Sequence, residues 1–257
     1  MSAYVEQFLL LLAGCPRIVG VIALVPGFDA AFIPPLVRVV LGLGLAVAMS
    51  PLLAPPNAAI LQLGPEAYLL MLLGELALGA LVGFCLSCLL EAGRLAGEIV
   101  DMQIGFHAGA MYDPLAGGSS SLLGRLWYMT ALVFFFQVNG HHWLIGGLAR
   151  SYELCPVGEL VYQRQLGLLA GEMAAVLFGL ALRLAAPVVA SLILADLTLG
   201  LVGRGMPQMN ILLVGLPAKI LVGLVALACC TPLMAGNLAQ MAALMREALQ
   251  HLLSGVR

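Results

Sequence analysis

Five charged side chains lie within the strongly apolar C-terminal half of this chain, and they have the greatest capacity for chemistry. They are Glu172, Arg183, Asp196, Arg204 and Lys219, the last being the only lysine. An ionised group at the centre of a bilayer costs about 2.5–3.5 kcal/mol on insertion scales. We therefore expect these groups to face protein, water or one another, as in assembly or transport proteins, and not lipid.

Two of these charges are too far apart to neutralise each other within one helix. Arg183 and Asp196 are 13 residues apart. On a straight helix they would point roughly 140° apart and lie more than three turns apart along the axis. Their partners must come from another helix or another subunit, and Lys219 is the candidate partner for Asp196.

The other residues that could take part in catalysis or bind a metal lack the further ligands or catalytic groups that such a site needs. His141 and His142 invite a metal or proton-relay interpretation, but no acidic residue or cysteine lies nearby in sequence, and Trp143 beside them suits a membrane interface. Cys85 and Cys88 have CxxC spacing in apolar surroundings, where cysteine packs as a small hydrophobe. No nucleophile elbow, P-loop, HExxH or dinucleotide motif is present. We predict no enzyme, no catalytic residue, no metal and no cofactor.

The composition is that of a membrane-type helical protein. Of 257 residues, 62% are hydrophobic and 9% charged, and the net charge is −2, whereas soluble domains have about 25% charged residues. This charge balance argues against a nucleic-acid partner. We predict an all-α, multi-pass chain forming one compact unit, with the fifth apolar segment either one tilted helix or broken near Pro187. The segments are Phe8–Val25, Val39–Leu53, Tyr68–Leu90, Leu126–Leu148, Leu168–Val202 and Ile211–Leu233.

Glycines recur at four-residue spacing, which lets helix backbones approach closely. In the longest row Asp101 occupies the one missing slot, and we predict that this row packs against neighbouring helices. The rows are Gly93, Gly97, Gly105 and Gly109; Gly79 and Gly83; and Gly167 and Gly171.

The periodic pattern of hydrophobic residues is interrupted between Ile104 and Leu122, where small and polar residues surround Asp113-Pro114. Irregular backbone at membrane depth is tolerated only when it is buried in protein or lines a cavity. If this stretch lies inside, it is a re-entrant or plug-like loop. If it lies outside, it is an ordinary solvated loop, and composition alone leaves both open.

Several stretches, in their order and spacing, resemble the FliR/SctT family of the type III protein-export apparatus. The resemblance extends almost from end to end, and Asn139-Gly140-His141 looks more like the flagellar branch than the injectisome branch. The stretches are Pro16-Arg17, Pro34-Pro35-x-x-Arg38, Gly97-Glu98-Ile99, Tyr112-Asp113-Pro114, Asn139-Gly140-His141, Ala186-Pro187-Val188-Val189, Asp196-Leu197-x-Leu199-Gly200, Pro207-Gln208-Met209-Asn210 and Gly215-Leu216-Pro217-x-Lys219.

The resemblance implies a subunit of an export gate in the bacterial inner membrane, at the flagellar basal body. Its partners would be FliP-like and FliQ-like subunits and an FlhB-like switch protein, and unfolded export substrates would pass through. Members of the family wind into a hetero-oligomeric helical cone around a secretion channel. Residues 1–165 would form a FliP-like helical part, and residues 166–257 a FliQ-like C-terminal hairpin and tail.

The resemblance also implies roles for individual residues. In the family, the region corresponding to residues 106–122 plugs the channel from within, and the buried charged and polar positions fix the register between subunits. The plug residues would be Phe106, His107, Met111, Tyr112, Asp113 and Pro114; the assembly residues would be Arg38, Glu172, Arg183, Asp196, Arg204, Gln208 and Lys219.

A second interpretation is a secondary transporter. Helices broken at Pro187 and Pro217 and a coupled ion site of charged residues would suit that class. A transporter would be stable alone or as a simple homo-oligomer, whereas a gate subunit would need its partners. A membrane enzyme using His141 or His142 is a third interpretation, and it would need bound metal or activity that is lost when the histidines are replaced.

Overall fold

The computed structural model describes residues 3–25, 34–52, 64–106, 121–158, 163–206 and 213–230. These residues form helices and turns without a strand, so the predicted all-α fold is confirmed. We number the helices in chain order, and a short 3-10 turn, Ser50–Leu52, follows the second. They are α1 Ala3–Leu24, α2 Pro35–Met49, α3 Pro65–Ile104, α4 Leu122–Gln137, α5 Gly140–Leu154, α6 Gln163–Gly205 and α7 Leu213–Cys230.

Two helices are far longer than a bilayer requires. Helix α3 has 40 residues and α6 has 43, or about 60 and 65 Å at 1.5 Å per residue, against about 30 Å of hydrocarbon. Helix α6 continues through Pro187, so the alternative of two separate helices there is wrong. Within the described residues, three helical stretches are long and apolar enough to cross a membrane, namely Pro65–Phe84, Ala170–Gly205 and Leu213–Cys230.

The apolar run Leu126–Leu148, predicted as one segment, forms two helices instead, α4 and α5. The break is at Asn139, whose φ of 58° is left-handed, a conformation that asparagine tolerates better than most residues. The next residue is glycine because a Cβ on Gly140 would collide with the ring of Phe135. Hydropathy averaged over about 19 residues does not register this break, because the polar residues around Asn139 are few and the segments on both sides are apolar.

The chain divides into two compact units, and helix α3 contributes to both. Unit 1 consists of residues 1–88, 135–174 and 242–257. In it α1 packs on α2 and on the first half of α3. A Cβ on Gly83 would lie 2.7 Å from the carbonyl oxygen of Val21, and one on Gly79 would overlap the carbonyl of Arg17. Helices α1 and α3 therefore touch backbone to backbone, as the spacing of these two glycines predicts.

Unit 2 consists of residues 89–134 and 175–241. The second half of α3 packs on α4, where a Cβ on Gly97 would lie 2.5 Å from Gly124 Cα. The end of α3 packs on α7, where a Cβ on Gly223 would lie 2.6 Å from Ile104 Cδ1. Trp127 fills the core between these elements and is 2% exposed. The assignment of residues 1–165 and 166–257 to FliP-like and FliQ-like parts stays a prediction.

Candidate functional site

The most heavily bonded polar group in the described residues is the guanidinium of Arg17, which is fully buried in unit 1. Its Nε donates to Glu75 Oε2 at 2.7 Å, and a terminal nitrogen lies 2.7 Å from the same oxygen. Nη1 donates to the carbonyl oxygen of Ser151 at 2.9 Å, and Nη2, the terminal nitrogen near Glu75, donates to the carbonyl oxygen of Cys155 at 3.0 Å. One side chain of α1 thus ties α3 to the end of α5.

Further hydrogen bonds and a ring contact surround the ion pair of Arg17 and Glu75. Glu75 accepts a second hydrogen bond from the backbone N–H of Gly158, at 3.1 Å. The guanidinium lies over the ring of Tyr152, 4.4 Å from its centroid, and the Tyr152 hydroxyl donates to the carbonyl of Gly14 at 2.8 Å. Burial raises the pKa of Tyr152 well above its ordinary value, against the opposing charge of Arg17, so the hydroxyl keeps the proton that it donates. We call Arg17, Glu75, Ser151, Tyr152 and Cys155 the Arg17 network.

The Arg17 network was not predicted from the sequence, although Pro16-Arg17 is among the stretches that resemble the family. A usable signal was present, because Arg17 and Glu75 are opposite charges embedded in long apolar helices. A buried charge is stable only when it is paired and hydrogen-bonded. Sequence separation hid the pairing, since the two residues are 58 positions apart.

A second polar cluster surrounds Asp101 in unit 2, where this residue is fully buried. Its carboxylate accepts hydrogen bonds from the Ser121 hydroxyl and from the N–H of Leu123, the latter at 3.1 Å. Ser121 in turn accepts from the N–H of Gly124 at 2.7 Å and so caps the start of α4. An anionic group at a helix N-terminus also complements the helix dipole.

The backbone carbonyl of Asp101 also stabilises the turn that ends α3. It accepts hydrogen bonds from the N–H groups of Gly105 at 3.0 Å and Phe106 at 3.2 Å. Gly105 has a φ of 95°, the left-handed conformation that commonly ends a helix at glycine. Through its carbonyl oxygen Asp101 holds Phe106, which precedes the segment 107–120. Through its carboxylate it holds Ser121 and Leu123, which follow that segment.

We expect Asp101→Ala to destabilise the start of α4 by about 2 kcal/mol, since it removes an N-terminal cap contact and a charged acceptor. Amide hydrogen exchange of residues 122–126 would report the change as faster exchange. The matched control is Thr130→Ala in the same helix, whose hydroxyl bonds only to the Leu126 carbonyl on an exposed face. Equal exchange in the two variants would show that Asp101 does not hold α4.

Asp196 and Lys219 form the ion pair for which the sequence named them as candidates. Lys219 Nζ lies 2.9 Å from Asp196 Oδ1, and both side chains are partly exposed. Gln103 also donates to Asp196 from α3, at 3.4 Å. The pair joins α6 to α7 within this chain, so its contacts here are intramolecular.

The remaining three of the five charges named at the outset are on the surface of the chain. Glu172, Arg183 and Arg204 are exposed, and within the described residues no ion pair involves them. Exposed apolar side chains precede Arg183 on α6, among them Phe178 at 59% and Leu182 at 60%. In the N-terminal half Arg38 is half-buried on α2.

The long glycine row has two different environments. Gly93 and Gly97 lie on the face of α3 that packs against α4, with an added Cβ on Gly93 in ordinary contact, 3.5 Å from Ala131 Cβ. Gly105 comes after the last residue of α3, in the turn described above. Gly171, from another row, has open space where a Cβ would be.

Most of the predicted plug lies outside the described residues. Phe106 is described, in the turn after α3, and is 37% exposed. The other predicted plug residues lie outside the described ranges, as do one predicted assembly residue and one glycine of the long row. They are the plug residues His107, Met111, Tyr112, Asp113 and Pro114, the assembly residue Gln208, and Gly109.

The histidine pair forms an aromatic cluster. The rings of His141 and His142 have centroids 4.2 Å apart, and His141 also lies 5.6 Å from the ring of Phe136. Within the described part of the chain no three His, Cys, Asp or Glu side chains come together as metal ligands.

These features define a class: an all-α, strongly apolar chain whose buried polar groups tie helices together. Within that class its family is clear. A family model described as "Bacterial export proteins, family 1" matches residues 7–245. The chain belongs to this family.

Individual relatives agree with the family. The chain is 32% identical to the flagellar biosynthetic protein FliR of Bacillus subtilis (strain 168) over 234 residues, covering 90% of this chain and 89% of that protein. It is 28% identical to FliR of Escherichia coli (strain K12) over 219 residues, covering 85% and 83%. It is also 28% identical to the secretion system apparatus protein SsaT of Salmonella typhimurium over 162 residues, covering 63% and 62%. The resemblance to the FliR/SctT family is thus confirmed.

Proposed function

We propose that this chain is a non-enzymatic, channel-forming subunit of a flagellar type III export gate in the bacterial inner membrane. Relatives named as flagellar biosynthetic proteins match it over most of their length, and the described part of the chain has three stretches apolar enough to span a membrane. Its partners would be FliP-like, FliQ-like and FlhB-like proteins. Its task would be to shape and plug a pore for unfolded substrates, with energy supplied elsewhere.

The observation that carries this proposal is the exposure of charged residues on apolar helix faces. Arg183 and Arg204 are both exposed on α6, about 60° apart around its axis. Facing lipid, each would cost about 2.5–3.5 kcal/mol. Neighbouring subunits that present carboxylates or water to these positions remove that cost. A chain with such a surface is stable in a hetero-oligomer and not alone.

The same reasoning divides the predicted assembly residues into two groups. Asp196 and Lys219 pair within the chain and would fix the α6–α7 hairpin, the part proposed as FliQ-like. Glu172, Arg183 and Arg204 would meet neighbouring subunits and set the register of the proposed helical cone.

Co-expression tests the function. We expect the chain to accumulate in membranes only with FliP-like and FliQ-like subunits, and native mass spectrometry in detergent to give one defined hetero-oligomer. The control is the same expression with each partner omitted in turn. A stable particle that forms without the partners and binds a small solute would favour the secondary transporter instead.

The plug assignment predicts a leak. Removing residues 109–119 keeps the Ser121 cap and leaves the gate assembled, but we expect the membrane to pass small solutes, because the bulky Met111 and Tyr112 side chains are lost. A matched control replaces the same residues by an equal number of glycines and serines, and we expect it to leak as well. Solute uptake by intact cells measures both variants. A tight membrane with normal secretion in the shortened variant would contradict the plug.

A further inference from the structure

One buried residue of unit 2, Asp101, links the end of α3 to the start of α4. Its carboxylate oxygen Oδ2 accepts hydrogen bonds from the Ser121 hydroxyl and from the N–H of Leu123. Its backbone carbonyl accepts a hydrogen bond from the N–H of Phe106. Phe106 is therefore linked to α4 through a single residue. We call Asp101, Phe106, Ser121 and Leu123 the α3–α4 junction.

The contacts of the end of α3 on its other side, towards α7, are apolar. The Ile104 side chain packs there against Gly223, where an added Cβ would lie 2.6 Å from Ile104 Cδ1. Apolar contacts of this kind have no preferred direction, whereas hydrogen bonds do. The hydrogen bonds of Asp101 therefore set where Phe106 lies relative to α4.

Helix α4 does not depend on Asp101 to stay packed on α3. The two helices touch backbone to backbone at Gly97 and Gly124, where a Cβ on Gly97 would lie 2.5 Å from Gly124 Cα. Trp127 of α4 is 2% exposed in the core of the unit. These contacts remain when the carboxylate is removed. Loss of the carboxylate therefore loosens the first turn of α4 and releases Phe106, but it does not separate the two helices.

The second oxygen of the Asp101 carboxylate indicates a role beyond capping α4. Oδ1 has no hydrogen-bond partner within the described residues, although Asp101 is 0% exposed, and a buried oxygen without a donor lowers stability. A cap alone does not require this carboxylate, because Ser121 is itself the N-cap: its hydroxyl accepts from the N–H of Gly124 at 2.7 Å and its carbonyl from the N–H of Arg125 at 3.0 Å. Features that lower stability occur mainly at functional positions. The link to Phe106 supplies such a role.

We propose that Asp101 is the positioning residue of Phe106, and that its side-chain bonds to α4 keep the Phe106 ring where it helps to seal the pore. This inference rests on the proposed function, in which Phe106 is the first plug residue. Asp101 is fully buried, so it acts through Phe106 and does not touch the exported chain. Phe106 is 37% exposed, so the hydrogen bond to its backbone decides where its ring can lie.

Asp101→Ala and Asp101→Asn test the inference in the full chain, co-expressed with its partners. The first variant removes the acceptor, whereas the amide oxygen of the second still accepts from Ser121 and Leu123. The control is Leu126→Gly, at a 54% exposed position near the start of α4, where glycine loosens the helix and leaves the α3–α4 junction unchanged. Solute uptake by intact cells and secretion are measured for each variant, and the variant that lacks residues 109–119 is the reference for an open pore.

We expect Asp101→Ala to raise solute uptake towards that of the shortened variant while secretion is retained. Asp101→Asn and Leu126→Gly should stay as tight as the parent chain. A tight Asp101→Ala gate would overturn the inference. So would an Asp101→Asn or Leu126→Gly gate that leaks as much as Asp101→Ala, because the leak would then not depend on the hydrogen bonds of residue 101.

A milder variant covers the case in which Asp101→Ala does not accumulate. Ser121→Gly removes only the hydroxyl that bonds to Asp101, since glycine is an acceptable N-cap, and the same results decide the inference. The proposed function fails in a different way. If the parent chain does not assemble with its partners, or if the shortened variant does not leak, the gate or its plug is contradicted, and this inference is contradicted with it.

Discussion

Replacing Arg17 by leucine is expected to prevent stable folding of unit 1. The change leaves Glu75 as a buried carboxylate without its cation and removes the hydrogen bonds that Arg17 donates to the carbonyl oxygens of Ser151 and Cys155. Breaking one side of a buried ion pair destabilises a protein by about 3–5 kcal/mol. That is a large part of the stability of an ordinary fold. Thermal unfolding of the purified gate should shift down by about 10 °C, if the variant accumulates at all.

The control for this experiment is Arg94→Leu, which removes an arginine that also has two carboxylate partners but is about half exposed. Pairs of this kind contribute little, about 0–1 kcal/mol. The double variant Arg17→Leu with Glu75→Leu removes both buried charges, and we expect it to recover only part of the loss, because the hydrogen bonds from Arg17 to the two carbonyl oxygens are still missing. If Arg17→Leu unfolds at the same temperature as Arg94→Leu, the Arg17 network does not stabilise the unit.

Replacing Gly79 by valine is expected to separate α1 from α3. The first added carbon would overlap the carbonyl of Arg17. Backbone cannot rotate out of the way as a side chain can, so the cost should reach the upper end of the overpacking range, about 3 kcal/mol. The displacement would also move Arg17 relative to Glu75. Steady-state amounts of the gate in membranes and its resistance to protease measure the effect.

The matched control is Gly146→Ala on α5, in the same unit. An added Cβ there meets no atom within 4 Å, and alanine favours a helix interior over glycine by about 1 kcal/mol. We expect this variant to be as stable as the parent chain or more stable. A tolerant Gly79→Val would show that α1 and α3 do not touch as described.

Sequence reasoning predicted the elements better than their ends. Hydropathy finds apolar stretches, so the helices themselves and the all-α class followed from composition. It underestimated α3, because the helix continues past the apolar run into the charged residues Glu91, Arg94 and Glu98. It joined α4 and α5, because the break at Asn139 occupies only a few residues, over which hydropathy is averaged with the apolar segments on both sides.

Only part of the candidate site was predicted from the sequence. Asp196 and Lys219 were predicted as a candidate pair, because helical geometry excluded Arg183 as the partner of Asp196 and left another helix or another subunit. The Arg17 network did not follow, because two of its acceptors are backbone carbonyls at Ser151 and Cys155, and any residue type supplies a carbonyl. The same limit hid Asp101, whose role depends on the N–H of Leu123 and on its own carbonyl.

The Arg17 network also constrains how the chain is synthesised. Arg17 precedes Glu75 by 58 residues and Ser151 by 134. At a bacterial translation rate of about 5–20 residues per second, the ribosome adds the last of these partners about 7 to 27 seconds after Arg17. Throughout that interval the nascent chain carries a guanidinium that the finished protein excludes from water. The hydrogen bonds of Arg17 are therefore complete only once the end of α5 has been made.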